Sequence, residues 1–527
     1  MKKVILFALC IVMAVGASAQ MVNKKFVPMK DMDMFRYSYK IMENDADQFT
    51  TYIYPRRDKN GMFKKKNVEH TIAVFNKNKR SFNYHKLVFP MTYFLTTAFD
   101  TGDDFFGTFT RYEKKNTVYC TGHLPKGGSQ NVNPRTRLVI PSVGVMDTHV
   151  DSPDGNMHAV ILLATFKKSP SKVYVFVYDA KGEELAFKEF IPSTRSPRFA
   201  FSRAALSNNG DLTMLFISYE QKGKYESHNF VLPLSKATLP KPTDPKNTSL
   251  HIATLSDGEL TEYRIPHFSF GEIHSAGLLP LDNGSCFIGG YYGEMTAKPS
   301  TGYFSCIFDP NSENILETHN YMLPEEQKGQ DKHMFLIHLK YHIHVQDIVR
   351  LENGKVVMLG EHRAWAVQTS RMGNTTTTSY SNWCSDIVYQ TFDTSGECER
   401  NDMVRKLQSY TTGSYVSPET FSDYVYTFKD FCISFDPFVR GNDIYLIYNN
   451  SYDHDKYCNP SVLNYGSSCI RLAKLSPDGK VDYKMIMKCE ARKSYFKRLW
   501  LVDDDGTVYF CTSGKQGYGI ESFQLKD

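Results

Sequence analysis

Residues 276–294 read AGLLPLDNGSCFIGGYYGE, and residues 303–317 read YFSCIFDPNSENILE. The first stretch places an Asn-Gly pair, Asn283-Gly284, between two apolar runs, which is a strong short-range signal for a β-hairpin. The second is a strand that ends in an acidic turn at Asp309 and is followed by another strand. Together the two stretches predict a module of four antiparallel strands joined by a tight turn, a longer loop and another tight turn.

The turn signal of this module recurs along the whole chain. Strong or weaker copies are found at Asp154-Gly155, Asn209-Gly210, Asn283-Gly284, Asn353-Gly354, Gly441-Asn442, Asp505-Gly506, Asn44-Asp45 and Gly102-Asp103, which makes eight. The signal of a strand, an acidic turn and a strand also recurs, as VYVFVYDAKGEELAFKEF from Val173, IVYQTFDTSGEC from Ile387 and IRLAKLSPDGKVDYKMIM from Ile470. The chain is therefore interpreted as a repeat of one four-stranded unit.

Four antiparallel strands repeated with radial stacking define one architecture. On these repeats the chain resembles the β-propeller superfamily over nearly its whole length, without the motif of any subfamily. We expect an all-β fold, a single propeller of about eight four-stranded blades, with seven blades as the alternative. A row of two or three β-sandwiches is the competing architecture, because it also has short strands at roughly 8–12-residue spacing.

The two ends of the sequence favour the propeller. The last module ends after YGIESFQLKD without a fourth strand, and residues 22–29, VNKKFVPM, resemble the fourth strands of other modules. We expect this N-terminal strand to join the C-terminal blade and close the ring, which removes the exposed sheet edges of an open array.

The expected organisation is a signal peptide at 1–19 and one propeller domain at 20–527. The predicted modules lie near 33–90, 91–140, 141–192, 197–266, 268–324, 341–408, 428–489 and 495–527 together with 22–29. The 527 − 19 = 508 remaining residues give about 63 per module, against roughly 40–50 in compact propeller repeats, so the excess is expected in loops. Residues 366–382, which include the Thr375 to Thr378 run, are expected to be such a loop.

Composition excludes several classes of protein. With 41% hydrophobic and 23% charged residues the chain can bury a large core, and 33 Tyr and 36 Phe against 3 Trp favour strands. The formal charge of +5 falls to +3 without Lys2 and Lys3, since 60 basic then face 57 acidic residues, so no nucleic-acid partner is expected. After the first twenty residues no stretch approaches the roughly 18 apolar residues of a membrane span.

The first twenty residues follow a secretory pattern. Lys2 and Lys3 precede an apolar run, Val4 to Val15, and the small residues Ala17-Ser18-Ala19 precede Gln20. The small-residue site followed by Gln resembles the export signals of Bacteroidetes-type bacteria. We expect cleavage near Ala19-Gln20 and a periplasmic or secreted protein. A lipoprotein anchored at Cys10 is the alternative, which the bulky Leu9 before it disfavours.

Ten of the 11 cysteines lie beyond this leader, in a compartment that permits disulfides. Cys458 and Cys469 bracket the polar stretch YCNPSVLNYGSSC, whose ends a hairpin brings together, so this pair is a candidate disulfide. Cysteines within strand-like runs, such as Cys286 and Cys306, are expected to be small buried residues.

Two histidines fall at equivalent positions of neighbouring modules. His274 and His344 each stand ten residues before the turn glycine, near the start of an innermost strand at the channel mouth. Imidazoles there suit acid/base chemistry or a metal, and Glu361 is a candidate third ligand for a divalent ion such as Mn or Zn. The alternative is that these histidines are hydrogen-bonded structural residues between blades. No cofactor is otherwise predicted.

The loops between second and third strands contain the other candidate site. They include Tyr291-Tyr292-Gly293-Glu294, Glu361 to Trp365 and Asn449 to His454. The candidate ligand-binding residues are Tyr291, Tyr292, Glu361, Arg363, Trp365, Asp453 and His454. Aromatic rings beside carboxylate and guanidinium groups suit a sugar or a peptide. The alternative is that these side chains only decorate exposed loops.

The expected function is binding or scaffolding rather than catalysis, with a glycan, peptide or envelope protein recognised on the loop face. The sequence contains no G-x-S-x-G elbow, P-loop, H-E-x-x-H or EF-hand motif. The alternative is a glycan-active hydrolase or lyase that uses Glu361, His274 and His344 at the channel mouth. A purely structural component of the cell envelope is the third hypothesis.

Overall fold

The computed structural model describes residues 27–29, 37–55, 68–113, 116–128, 130–141, 144–166, 171–193, 199–219, 248–265, 271–294, 299–310, 312, 314–328, 342–372, 375–406, 408–412, 434–451, 468–488, 494–514 and 517–525. These residues form eight sheets whose strands pair antiparallel, except for one short parallel pair in the first sheet. Within this part of the chain the only helix is a 3-10 turn at Glu325–Gln327. No helix there is long and apolar enough to cross a membrane.

The first four sheets, blades 1 to 4, each contain four strands in chain order, and one further short strand, β9, joins blade 1. Blade 1 contains β2 (Tyr37–Asn44), β3 (Gln48–Pro55), β4 (Val68–Asn76) and β5 (Ser81–Phe89). Blade 2 contains β6 (Phe94–Asp100), β7 (Asp104–Glu113), β8 (Asn116–Pro125) and β10 (Arg135–Ile140), whereas the short β9 (Gln130–Asn131) pairs with β5 of blade 1. Blade 3 contains β11 (Gly144–Asp151), β12 (Met157–Thr165), β13 (Lys172–Asp179) and β14 (Glu184–Phe190). Blade 4 contains β15 (Phe199–Leu206), β16 (Leu212–Tyr219), β17 (Thr248–Ser256) and β18 (Glu259–Ile265).

Blades 5 to 8 repeat the pattern. Blade 5 contains β19 (Glu272–Pro280), β20 (Cys286–Gly293), β21 (Gly302–Asp309) and β22 (Asn314–Met322). Blade 6 contains β23 (His342–Arg350), β24 (Val356–Met372), β25 (Thr375–Phe392), β26 (Cys398–Val404) and a fifth strand, β27 (Gln408–Thr412). Blade 7 contains β28 (Phe435–Arg440), β29 (Asp443–Ser451), β30 (Ser468–Leu475) and β31 (Val481–Lys488). Blade 8 contains β32 (Ser494–Val502), β33 (Thr507–Gly514), β34 (Gly517–Gln524) and β1 (Val27–Pro28).

The turn between the first two strands of a blade explains why the Asn-Gly signal recurs. In blade 5 the N–H of Leu281 donates to the carbonyl of Ser285, and the N–H of Gly284 donates to the carbonyl of Leu281. Asn283 Oδ1 accepts from the backbone N–H of Ser285 at 3.0 Å. Gly284 has φ +83°, a left-handed conformation that glycine adopts without steric cost. The local sequence therefore fixes a tight hairpin that reverses the chain once per blade.

The ring is closed by the N-terminal strand, as the sequence predicts. Val27 pairs with Ile520 and Pro28 with Gly519, which makes β1 the outermost strand of blade 8. Proline is tolerated there because an edge strand need not donate from every residue. Lys77 of blade 1 binds Asp503 of blade 8 at 2.7 Å and so links the first and last blades. The protein is an eight-bladed β-propeller. The expectation of an all-β propeller with eight blades, rather than seven blades or β-sandwiches, is confirmed.

The hydrophobic core is divided among the interfaces between blades. Between blades 6 and 7, for example, Leu359 and Tyr389 pack with Leu446 and Tyr448, all four nearly or fully buried. Alternation of side chains along each strand gives every blade two buried faces, so each blade is stabilised by both neighbours.

One expectation about the loops is wrong. Residues 366–372 and 375–382 are paired strand, and Thr375 to Thr378 face Met372 to Thr369 across the hairpin instead of forming a loop tip. The segment is polar, which suggests a loop, but threonine is β-branched and fits a pleated strand well. The excess length of blade 6 therefore lies partly in its middle strands.

Candidate functional site

The described residues of the predicted site lie at the end of the blades where second strands lead into third strands, here called the loop face. Strand pairing places His344 opposite Glu361 and His342 opposite Arg363 in blade 6. In blade 5, Tyr291 and Tyr292 end the equivalent second strand, β20. These side chains are thus neighbours in space, and their surroundings decide what each can do.

Tyr291 is a buried residue between blades 5 and 6. Its side chain is fully enclosed, and its hydroxyl donates to Gln390 Oε1 at 2.6 Å. The ring lies over Gly360, where a Cβ would come within 2.4 Å of the hydroxyl. Burial raises the pKa of Tyr291 well above its usual value. The ring of Tyr291 is therefore packed between the blades and its hydroxyl is hydrogen-bonded within the protein, so neither is available to a ligand.

Tyr292 is buried in a similar way on the other side of blade 5. Its hydroxyl donates to the carbonyl of Tyr321 at 3.0 Å, and its ring fills the space above Gly302. Only 2% of Tyr292 is exposed, and burial raises its pKa. Neither tyrosine presents its ring to solvent in this structure.

Glu361 is the centre of a buried polar network between blades 6 and 7. Lys406 Nζ donates to Glu361 Oε1 at 2.5 Å, and Arg363 Nε donates to Oε2 at 2.8 Å. The hydroxyl of Ser434 also donates to Oε2, at 2.8 Å. Glu361 and Lys406 are 0% exposed at their side chains and Arg363 is 2% exposed. Because an unpaired buried charge is costly, these groups stabilise one another rather than a free reactant.

Gln408 connects this network to the backbone of blade 7. Its Oε1 accepts from Lys406 Nζ at 2.9 Å and from the N–H of Ser434 at 2.6 Å. Its Nε2 donates to the carbonyl of Asn449 at 2.6 Å. Ser434 has φ +71°, an uncommon conformation for a non-glycine residue, which these hydrogen bonds hold in place. We call the group Glu361, Arg363, Lys406, Gln408 and Ser434 the carboxylate latch.

The histidines of blades 5 and 6 form a second cluster. The rings of His274 and His342 stack with centroids 4.3 Å apart and planes 19° from parallel. His274 Nδ1 is hydrogen-bonded to Ser300 Oγ at 2.8 Å. Burial, and next the positive charge of Arg363, lower the pKa of His344 well below 6.5. At neutral pH His344 is therefore an uncharged residue inside the protein.

The structure places the three predicted metal ligands in two neighbouring blades, with His274 on β19, His344 on β23 and Glu361 on β24. Within the described ranges no group of three or more His, Cys, Asp or Glu side chains is placed to hold a metal ion. Both oxygens of Glu361 accept hydrogen bonds from cationic groups, an environment that repels a metal cation. His274 packs on His342, whereas His344 lies across the strand pair from Glu361. A divalent ion held by His274, His344 and Glu361 stays a prediction.

Several predicted residues are described only in part. Trp365 lies in β24 and pairs with Asn382, and its side chain is outside the described set. Asp453, His454 and Cys458 lie outside the described residues. Cys469 is buried in β30. The disulfide therefore stays a prediction, as does a ligand contact by Asp453 or His454.

Lys406, Gln408 and Ser434 were not identified from the sequence. Each is a single polar residue near the end of a predicted strand and belongs to no motif. A buried carboxylate requires a cationic partner, so Glu361, directly after the apolar run Val356 to Gly360, was the only available signal. That signal predicts that Glu361 has a cationic partner, but it does not identify the residue.

Comparisons with known proteins name no family for this chain. No protein-family description matches the chain, and no curated protein matches it. A protein of Lactobacillus plantarum is similar in structure, with 10% identity and a TM-score of 0.38 over 83% of this chain and 95% of its own. The WD40 domain of SCAP from fission yeast also has 10% identity, with a TM-score of 0.35 over 95% of this chain and 98% of its own. Similarity at this level supports no inference about this chain.

Proposed function

We propose that this protein is an exported binding or scaffold protein that recognises a glycan, peptide or partner protein on its loop face. A β-propeller is a rigid ring that holds connecting segments in fixed positions, which is consistent with binding or scaffolding in general. The specific support comes from one element of blade 6 on that face.

The hairpin of β24 and β25 carries the proposal. Its strands have 17 and 18 residues, whereas the second and third strands of the other blades have 8 to 10. Residues 364–372 continue past Arg363, the last partner of β23, and at about 3.3 Å per residue they extend roughly 30 Å. Strand β27 pairs with Tyr380 to Cys384 and gives the base a third strand. We call residues 364–383 the arm.

The sequence of the arm suits recognition. Two of the 3 tryptophans, Trp365 and Trp383, fall within it, together with Tyr380 and many Thr and Ser residues. Tryptophan and tyrosine give large contact areas at low entropic cost and are enriched at binding surfaces. Hydroxyl groups beside them can pair with the polar groups of a sugar or a peptide. An arm with this composition is a natural recognition element.

The catalytic alternative has weaker support. A general acid or base needs an oxygen or nitrogen that can reach the substrate proton. The oxygens of Glu361 are held by Lys406, Arg363 and Ser434, and the pKa of His344 is lowered by burial. The latch is suited to holding two blades together.

The test is a glycan and peptide array probed with the purified protein and with Trp365→Ala and Trp383→Ala. We expect retention of at least one ligand class by the wild type and a loss of about tenfold or more in affinity in each variant, as for a buried aromatic anchor. Tyr483→Ala is the matched control, because Tyr483 is an exposed aromatic residue on the outer strand of blade 7.

Two results would contradict the proposal. Unchanged retention in both tryptophan variants would show that the arm does not bind the ligand. Release of new reducing ends or unsaturated sugars by the wild type, abolished in Glu361→Gln with folding intact, would establish the catalytic alternative instead.

A further inference from the structure

A concave surface lies between the outer parts of blades 2 and 3. It is a cavity of about 360 Å³, at the small end of the roughly 300–1,000 Å³ range of ligand pockets. Phe106 and Tyr178 line it from opposite blades, with ring centroids 5.2 Å apart. It opens near the tight turns, such as that joining β13 to β14. This is the opposite end of the blades from the loop face.

Two local backbone features lie beside this cavity. In β10 the register with β8 shifts between Thr136 and Leu138, so Arg137 is the extra residue of a β-bulge. Bulges redirect a side chain and are found next to binding sites. Gly182, with φ +79°, brings the turn after β13 so close to Phe106 that a Cβ would lie 2.4 Å from the ring.

The charges around the cavity are not fully compensated. Arg137 pairs with Glu184, and His123 Nδ1 lies 3.0 Å from Asp104 Oδ2. Arg135 also lines the cavity and is exposed, and among the residues described here it has no hydrogen-bond or ion-pair partner. An exposed guanidinium that lines a pocket can bind a carboxylate in a bidentate manner, through two parallel N–H groups.

The geometry points to this cavity as a binding site for the carboxylate-bearing sugar of an acidic saccharide, a hexuronate, with Arg135 as the carboxylate partner. Asn133, Thr121 and Glu184 line the same space and offer amide, hydroxyl and carboxylate groups to sugar hydroxyls. Phe106 and Tyr178, both nearly buried, form the apolar base of the cavity between the two blades. The site is independent of the proposed function, because it lies away from the arm.

Glu184 sets the strength of this site. Its carboxylate forms an ion pair with Arg137, the second arginine that lines the cavity. Glu184→Gln removes one negative charge and releases Arg137 to the ligand. Affinity for an anionic sugar therefore rises in this variant, whereas a site that selects neutral sugars would not respond.

The experiment is calorimetric titration of the purified protein with trigalacturonic acid and with its methyl ester, which lacks the charge. We expect binding of the acid in preference to the ester and, in Arg135→Ala, a loss of about tenfold or more, the effect of one charge-assisted contact. Lys484→Ala, which removes an exposed positive charge from the outer strand of blade 7, should bind as the wild type does. Glu184→Gln should bind more tightly.

Equal affinity for acid and ester, or an unchanged affinity in Arg135→Ala, would overturn the proposal. Stronger competition by inorganic phosphate or a triglutamate peptide than by the sugar acid would also overturn it. Trp365→Ala should retain full uronate binding. The proposal for the arm and the proposal for this cavity can therefore fail independently of each other.

Discussion

Glu361 shows how one buried carboxylate can fix an interface between blades. Glu361→Gln should lower the free energy of unfolding by about 3–5 kcal/mol, because Lys406 and Arg363 remain buried without their counter-charge. Urea denaturation followed by fluorescence measures this loss. The double variant Glu361→Gln/Lys406→Met should lose less than the two single variants combined, since it removes an orphaned cation. Additive losses would show that the latch is not a coupled unit.

Buried histidines give stability a pH dependence. Burial lowers the pKa of His362 to about 4 and of His70 to about 3, from 6.5. Above pH 6.5 both are neutral in the folded and the unfolded chain. As pH falls from 6.5 towards 4 only the unfolded chain binds these protons, so stability is lost across this window.

We expect His362→Gln to weaken this dependence, measured as urea midpoints at pH 7.5, 6 and 5. His319→Gln is the control, because His319 is partly exposed on β22. Equal slopes in the wild type and His362→Gln would assign the acid sensitivity to other groups.

At the scale of the element, two turn glycines of similar backbone conformation differ in their surroundings. Gly155 and Gly182 have φ +71° and +79°, but a Cβ at Gly155 meets open space and one at Gly182 meets Phe106. Gly155→Ala should cost about 1 kcal/mol from backbone strain alone. Gly182→Ala should cost about 1–3 kcal/mol more because it overpacks the ring. Thermal melting of both variants compares the two effects, and equal costs would mean that Phe106 moves aside freely.

The same elements show what the sequence can predict. Asn283-Gly284 and its equivalents mark tight turns because few residue pairs adopt that backbone cheaply, so the eight-fold repeat was visible. The arm was missed because residues 368–381 are mostly polar, and pairing between two polar strands leaves no apolar alternation to detect. The latch was missed because Lys406 and Ser434 meet Glu361 only through long-range packing.

At the scale of the whole molecule, β1 covers the edge of blade 8. Deleting residues 22–29 should expose β34, lower the urea midpoint and promote association, because an open strand edge pairs with other chains. Light scattering and denaturation measure both effects. Deleting only residues 22–25 is the control, since it leaves Val27 and Pro28 to pair. A monomer of unchanged stability after the full deletion would show that closure by β1 is dispensable.

Ring closure also orders the folding of the chain in time. Val27 pairs with Ile520, so the first strand of the ring has no partner until nearly the whole polypeptide has been synthesised. Contacts so distant in sequence form late and slowly. A ribosome-bound or prematurely terminated chain can fold individual blades but cannot complete blade 8. We therefore expect the pairing of β1 with β34 to form late in folding, and it requires both ends of the same molecule.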